Sequence, residues 1–576
     1  MSAPTRETSN TDDAASTPRP KQQRTKQAKG QGQWALGYRE PLNANEQSKK
    51  DDSPLNVRTR IENIYAYRGF DAIDPGDLRG RFRWYGLYTQ RKPGIEGGRT
   101  ATLEPEELED RYFMMRVRID GGALSTDQLR VIGEISQTFA RDSADITDRQ
   151  NIQLHWIRIE DVPEIWRRLE SVGLSTTEAC GDCPRVVLGS PVAGIEQAEI
   201  VDGSAAVEEI TSRYLGDPSF ANLPRKYKTS VSGSPTWDVE PEINDVAFQG
   251  VVHPEHGPGF DLLVGGGLST NPKLAVRLGA WVPRDEVADV WHGVTSIFRD
   301  YGYRRLRHRA RMKFLVADWG AEKFREVLET EYLGRKLVDG PAAQPPEGPR
   351  DHVGVHQQAD GSYFVGAKSA AGRVSGSTLL DVAKAAERVG SRRVRTTVQQ
   401  NLLVLDVAED EVDGLSRELS GLNLEVNPSP WRRGVMACTG IEFCKLAIVE
   451  TKERAIRMVE SLEKRLADLQ DGLENPVTVN LNGCPNACAR TQVADIGLKG
   501  QIVTDSDGNQ VEGFQVHLGG GLAVDSGFGR KVRGLKVTSD ELEDYVERLV
   551  RRYLEAREPG ERFAQWANRA ADEDLK

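Results

Sequence analysis

A chain that repeats its own plan has to fold as two packed copies, and this one repeats itself over most of its length. The run GFDLLVGGGL at 259–268 returns as GFQVHLGGGL at 513–522, and NDVAFQG at 244–250 returns in VADIGLKG at 493–500. Ahead of each lies the same order of patterns. The first copy reads as a strand over 112–118, a helix over 126–141, a strand region over 146–156 and a helix over 162–172. The second copy reads as a strand over 363–368, a helix over 379–389, a strand region over 394–404 and a helix over 409–419. The period is far too long for a solenoid, so the chain is one duplicated unit rather than an array. Two copies of this kind pack about a pseudo-twofold axis with a ligand site between them. The Pro/Gly-rich stretch 340–350 is the natural crossover.

The copies differ in chemistry. Only the second carries two tight cysteine pairs, Cys438 with Cys444 and Cys484 with Cys488. Four thiolates in two pairs suffice to hold one cubane iron–sulfur cluster. The five residues between Cys438 and Cys444 are too many for a zinc knuckle or ribbon. Cys444 opens a helical pattern over 445–469, and Cys484 and Cys488, four apart, face the same way in a helical turn with Pro485 at its first position. Amides and the helix dipole there favour thiolate. The first copy has only Cys180 and Cys183. They read as packed thiols, with a redox pair or a cross-link from Cys180 to Tyr88 as alternatives.

Bulk properties narrow the class. The 576 residues allow three or four domain-sized units, and a net charge of −11 argues against general nucleic-acid binding. Mean hydropathy of −0.52 and the lack of a long apolar run exclude a membrane span. Six cysteines in so long a chain fit reduced, metal-binding thiols, and no apolar leader opens the chain, so cytoplasm is the expected compartment. Residues 1–33 have almost nothing to bury and read as a disordered tail, with order beginning near Trp34. Glu7, Asp12 and Asp13 interrupt any transit-peptide pattern.

Basic residues gather in three places. Lys226 and Lys228, two apart on an expected strand, project their ammoniums from one face. An anion between them relieves their repulsion, and a solvated edge explains them equally well. Arg304, Arg305, Arg307, His308, Arg309, Arg311 and Lys313 form a denser run. Within it Arg309, Arg311 and Lys313 share a strand face suited to the carboxylates of a macrocycle or to an acidic protein, or left to solvent. Arg149 stands beside Gln150 and Asn151 ahead of an apolar strand, where a plain turn is the alternative.

With both cysteine motifs and these segments in hand, the chain resembles the sirohaem-dependent sulfite and nitrite reductases from about Trp34 to its C-terminus. The pairing of Cys-x5-Cys with Asn-Gly-Cys-Pro-Asn-x-Cys carries the resemblance. It implies an α+β, duplicated pseudo-twofold fold in which two ferredoxin-like halves form one domain and two α/β lobes surround the cofactors. The implied organisation is a tail over 1–33, a helical wrapping segment over 34–110 and a first ferredoxin-like half over 111–175. A first α/β lobe over 176–339, the linker 340–350, a second half over 351–428 and an iron–sulfur and sirohaem lobe over 429–576 follow.

The resemblance also implies a [4Fe–4S] cluster on Cys438, Cys444, Cys484 and Cys488, with Cys488 shared with the sirohaem iron. It places substrate binding on Arg116, Arg185, Lys226 and Lys228, and macrocycle contacts on Arg149 and Asn486. The expected reaction is six-electron reduction of sulfite to sulfide, with electrons from ferredoxin. Lys228 favours sulfite, since plant-type nitrite reductases tend to carry Asn there. Nitrite reduction is the alternative within the class, and a non-catalytic iron–sulfur module the alternative outside it. No nicotinamide or flavin fingerprint is present, because Gly265-Gly266-Gly267 and Gly519-Gly520-Gly521 are not G-x-G-x-x-G. A separate NADPH-dependent flavoprotein is the alternative donor. No nucleic-acid or membrane partner is expected, and the chain is expected to be a monomer.

Overall fold

A computed structural model describes residues 42–473 and 476–576. The tail expected over 1–33, and the onset of order near Trp34, lie outside the described residues.

The duplicated patterns fold into four sheets. Glu109–Val117 and Ile152–Ile157 pair antiparallel at the centre of one, and Tyr363–Ser369 and Asn401–Val407 at the centre of its counterpart. Each sheet takes its last strand from the other copy. Arg373–Val374 closes the first sheet against Ala144–Ile146, and Ala123–Ser125 closes the second against Arg393–Thr396. This exchange merges two small units into one body, and a single apolar core runs from Val57 through Leu129 and Ile132 to Leu402 and Leu415. Helix Thr126–Phe139 is fixed at its start by a capping box between Ser125 and Gln128. It crosses helix Gly376–Arg388 so closely that a Cβ at Gly133 would lie 2.8 Å from the Gly376 carbonyl oxygen.

The two lobes repeat one topology. Pro184–Gly189, Tyr227–Ser232 and Val246–His253 run parallel, and Gly257–Val264 returns antiparallel. Val435–Ala437, Val479–Asn482, Ile496–Thr504 and Gln510–Leu518 do the same. The registers also match: Ser230 faces Ala247 and Asn480 faces Gly497, both shifted by 250 residues (480 − 230 and 497 − 247). Each lobe has its own core, around Trp291 and Phe298 in the first and Trp431 and Trp566 in the second. The short helices of the N-terminal segment brace both lobes. Lys49 Nζ donates to the Leu223 carbonyl (2.8 Å), and Thr100 Oγ1 donates to the Ala447 carbonyl (2.8 Å).

Three local expectations fail. Arg309, Arg311 and Lys313 share no strand face: Arg307–Arg309 is a 3-10 turn, Arg311 is the N-cap, and Lys313 lies in helix Met312–Val327. The helical pattern after Cys444 runs only from Lys452 to Arg465, and its start is delayed because Ile448 N, in the loop ahead of it, bonds across to the Gly483 carbonyl of the other cysteine loop. Cys484 and Cys488 stand on a turn rather than a helix, for a reason visible in the site.

Candidate functional site

The four cysteines sit on two loops that leave adjacent parallel strands, Cys438 after Val435–Ala437 and Cys484 after Val479–Asn482. Backbone bonds zip the loops together. Cys438 N donates to the Leu481 carbonyl (3.1 Å), and Ile448 N donates to the Gly483 carbonyl (2.8 Å). The Asn482 side chain shapes the second loop from inside, donating to the Cys484 carbonyl (2.5 Å) and accepting from Ala489 N (2.8 Å). That amide occupies the groups a helix would bond to itself, and Ala487 turns left-handed (φ 54°), so the Cys484–Cys488 segment is a turn. Gly483 N points at Cys438 Sγ, 3.2 Å away, the kind of contact that stabilises a thiolate.

Burial, then the charge of Cys488, lifts the Cys438 thiol to about 12, and the same causes raise Cys484. Four thiols that sense one another in a half-dry cradle repel as thiolates, and a multi-iron cluster relieves that repulsion. Among the described residues no group of His, Cys, Asp and Glu closes around a single ion. The donor set fits a four-thiolate iron–sulfur cluster. Cys488 alone of the four is exposed.

Facing Cys488 is a cationic floor contributed by the first copy. Arg116 on strand Glu109–Val117 donates from Nη2 to Gln153 Oε1 (3.2 Å), and its buried Nε has no partner. Gln153 in turn donates to Thr439 Oγ1 beside Cys438 (3.3 Å), linking the floor to the cluster loop. Arg149 donates to Asn244 Oδ1 (2.9 Å) and the Val186 carbonyl (3.0 Å), and Arg185 donates to the Gly181 carbonyl (3.0 Å). Lys226 immediately precedes strand Tyr227–Ser232 and Lys228 lies in it, and among the described residues neither ammonium has a hydrogen-bond or ion-pair partner.

Electrostatics tie these groups into one site. Burial, then Arg185 and Arg311, press Lys226 down to about 7, and the thiol of Cys488 is among the charges it feels. Burial and the Arg149 charge hold Lys228 well below its ordinary value, and burial lowers Arg149 to about 9. Arg116 is lowered by burial and Arg185, and it too feels Cys488. Asp148 is the carboxylate set against them, felt by Arg116, Arg149 and Lys228. Two partnerless ammoniums and an orphaned guanidinium nitrogen in a dry wall fit the carboxylates of a macrocycle and a small anion.

The remaining expected contacts divide. Arg311 is held by a bidentate pair with Asp245 (3.1 and 2.8 Å), and Asp245 also receives Lys228 N (2.9 Å). Lys313 turns its ammonium to the carbonyls of Gly267, Leu268 and Asn271 (3.2, 2.8 and 2.5 Å), so its three donors clamp a loop instead of a cofactor. Arg309 is exposed over the Phe314 ring, 5.8 Å from its centroid. Asn486 is exposed on the Cys484–Cys488 turn. Cys180 and Cys183 are both buried and unpaired, with Cys183 Sγ 2.9 Å from the Cys180 carbonyl. Sequence reading missed Gln153, Asn244 and Asp245. Only the repeated NDV/ADI segment hints at the last two.

The pseudo-twofold axis places a counterpart beneath this site. Gly189 and Ala437 end equivalent strands, so Ser190 stands where Cys438 does. Glu196 N bonds the Val192 carbonyl as Cys444 N bonds that of Gly440, and Ile200 N bonds the Gly233 carbonyl as Ile448 N bonds that of Gly483. The positions of the four cysteines are thus held by Ser190, Glu196, Ser234 and Asp238. These form a polar nest, with Ser190 Oγ 2.6 Å and His352 Nε2 3.0 Å from Asp238 Oδ2.

Comparisons with known proteins agree with this duplication. The family model "Nitrite and sulphite reductase 4Fe-4S domain" matches residues 180–337 and 430–576, and "Nitrite/Sulfite reductase ferredoxin-like half domain" matches 106–172 and 356–422. A Mycolicibacterium paratuberculosis protein named sulfite reductase [ferredoxin] 2 is 62% identical over 96% of this chain and 99% of its own length. An assimilatory ferredoxin-dependent nitrite reductase of Haloferax mediterranei is 35% identical over 90% of both chains. The solved structure of Mycobacterium tuberculosis NirA protein superposes with a TM-score of 0.93 at 62% identity, covering 95% of this chain and 100% of that one.

Proposed function

Since the chain belongs to the nitrite and sulphite reductase family, we propose that it reduces sulfite to hydrogen sulfide with sirohaem and a [4Fe–4S] cluster, taking electrons from reduced ferredoxin. The relatives at 62% identity that carry the name sulfite reductase [ferredoxin] support this reading over the nitrite reductases at 35%. The single observation that carries it is the pair of partnerless ammoniums, Lys226 and Lys228, that share the site with Cys488.

Cys438, Cys444, Cys484 and Cys488 would hold the cluster, and exposed Cys488 is the one placed to share its sulfur with the sirohaem iron. Arg116, Arg149 and Arg185 would meet the macrocycle's carboxylates or the substrate, and Asn486 lies on the same rim. The bound cofactors supply electrons one at a time and an open iron coordination position. The chain's own residues do the rest. Lys226 and Lys228 offset the anion's charge with fixed cations that need no reorganisation as the reaction proceeds. Reducing hydrogen sulfite to hydrosulfide takes six electrons and six protons and releases three waters. A lysine held near 7 is protonated about half the time at neutral pH, which suits it to give a proton and be recharged. Arg116, kept in place by Gln153, stays charged throughout. Every group assigned here lies on one chain, and we read the working unit as a monomer. Among the described residues no helix is long and apolar enough to cross a membrane.

The experiment is an absorption spectrum of the purified protein, followed by sulfite and nitrite assays side by side with a chemically reduced donor. A sirohaem Soret band with faster sulfite turnover is the expected result. The band with nitrite far ahead would move the chain to nitrite reduction. Metal without the macrocycle band would leave an iron–sulfur module.

A further inference from the structure

Behind the first cysteine loop, one buried carboxylate gathers side chains from three segments. Asp145, 2% exposed on strand Ala144–Ile146, has its Oδ2 2.8 Å from His155 Nε2. Its Oδ1 accepts from Arg373 Nε (2.9 Å) and lies 3.4 Å from Lys452 Nζ. Arg373 reaches it because strand Arg373–Val374 of the second copy pairs with Ala144–Ile146, the exchange that merges the two sheets. Lys452, also 2% exposed, opens the helix that follows the cysteine loop, and its ammonium donates to the Ala371 carbonyl as well. Burial pushes the Asp145 carboxyl up, but the charges of Lys452, Arg373 and His155 outweigh it and hold the group far below its ordinary value.

Each of these partners has a second contact on the Cys438–Cys444 loop or its charge. The His155 ring stacks on Phe443, with centroids 3.8 Å apart and planes 15° from parallel. The Arg373 guanidinium stands over the same ring at 5.7 Å and donates to Glu442 Oε2 (2.7 Å). Lys452 feels the Cys438 thiol, and its neighbour Thr451 donates from Oγ1 to the Cys438 carbonyl (2.7 Å). The other copy lacks this arrangement. Asp145 faces Gln153 as Arg395 faces Leu403, both shifted by 250 residues (395 − 145 and 403 − 153), so Arg395 and Leu405 hold the places of Asp145 and His155. Leu405 packs with Val192 and Ile195 of the polar nest's loop, where His155 packs on Phe443. The carboxylate hub thus stands only behind the loop that carries cysteines.

We propose that Asp145 is a positioning residue for the reaction, holding His155, Arg373 and Lys452 against the cysteine loop and balancing the positive charge they bring to the cluster. The inference rests on the [4Fe–4S] cluster of the proposed function. Lys452 and Arg373 are matched by Asp145 and Glu442, two charges of each sign. Removing the Asp145 charge leaves a buried cation in surplus behind Cys438, and an iron–sulfur cluster takes up an electron more readily as the positive charge around it grows. Removing the Lys452 charge does the reverse.

The test is a potentiometric titration of the holoenzyme, followed by the absorbance and electron paramagnetic resonance of the cluster, with iron content measured alongside. Asp145→Asn is expected to raise the ratio of reduced to oxidised cluster at a fixed potential roughly tenfold, about 59 mV for a one-electron couple. Lys452→Met is expected to lower it by a similar factor, and the double variant to return close to the wild type. Asp145→Glu, which keeps the charge, is expected to stay near the wild-type potential. A side chain that merely braced the fold would not give shifts of opposite sign that cancel. Lys452→Met decides alone if Asp145→Asn fails to fold or loses iron. Full iron content with a wild-type potential in Lys452→Met, or shifts of the same sign in both single variants, would overturn the role of Asp145 and leave the proposed function standing. A wild type without the cluster would overturn both.

Discussion

Glu240 and Arg490 occupy equivalent positions in the two copies and form a buried ion pair with each other. Both backbones are left-handed, at φ 53° and 59°, and each residue caps a 3-10 turn, Pro241–Ile243 and Thr491–Val493. One gene-duplicated position has thus become an acid in one copy and a base in the other, and the two meet across the axis. Arg490 also donates to the carbonyls of Asp148 (2.9 Å) and Val398 (2.8 Å), drawing in both ferredoxin-like halves.

Arg490→Met therefore leaves Glu240 buried without its cation. Breaking a buried pair from one side costs about 3–5 kcal/mol, whereas removing both charges often costs far less. Denaturant unfolding is expected to show a large loss for Arg490→Met that Glu240→Gln in the same chain partly restores. Equal losses in the single and double variants would count against the pairing as the reason.

Lys226 sets a pH dependence. Its folded value near 7 lies below its ordinary 10.5. The folded chain binds fewer protons between those values, so this lysine's contribution to stability grows as pH rises through that window and is lost as pH falls through about 7. Anion binding runs the opposite way, because the ammonium that attracts sulfite disappears as pH rises. KM for sulfite is expected to climb above about pH 7, and Lys226→Met is expected to raise KM at pH 6 and flatten the profile. A wild-type KM that holds level from pH 6 to 9 would remove Lys226 from substrate binding.

Lys228→Asn removes one of the two partnerless cations but keeps a polar side chain. The bulkier, more highly charged sulfite loses more than nitrite does, so the sulfite-to-nitrite ratio of kcat/KM is expected to fall roughly tenfold. An unchanged ratio would show that Lys228 does not discriminate.

Replacing any one of Cys438, Cys444 or Cys484 by Ser takes a ligand from the cradle and leaves the remaining thiolates to repel. Iron content, cluster absorbance and sulfite turnover are expected to drop to background. Tm is expected to fall as well, since metal binding contributes to folding free energy. For Cys488→Ser the macrocycle spectrum is expected to change too. Full iron content in Cys484→Ser would exclude it as a ligand.

The donor chemistry and the symmetry of the architecture were legible in the residues alone. Thiolate spacing is a local property, and so is the alternation of strand and helix. Both cysteine motifs and both copies of the repeat could be read from neighbouring residues alone. The helix expected after Cys444 shows where local reading ends. Its periodicity extends back to Lys445, but the Ile448 amide is taken by Gly483, a residue far along the chain. The Cys484–Cys488 turn fails to become a helix for a similar reason, through the Asn482 side chain. Which cations are available depends on how distant segments meet in the fold. Arg311 and Lys226 look alike in sequence, yet Arg311 meets Asp245, 66 residues away, while Lys226 meets no carboxylate. Lys313 is consumed by three carbonyls that its spacing from Arg311 could not foretell. A charge's role depends on the partner that arrives beside it, and in this fold that partner usually comes from another strand, loop or copy of the repeat.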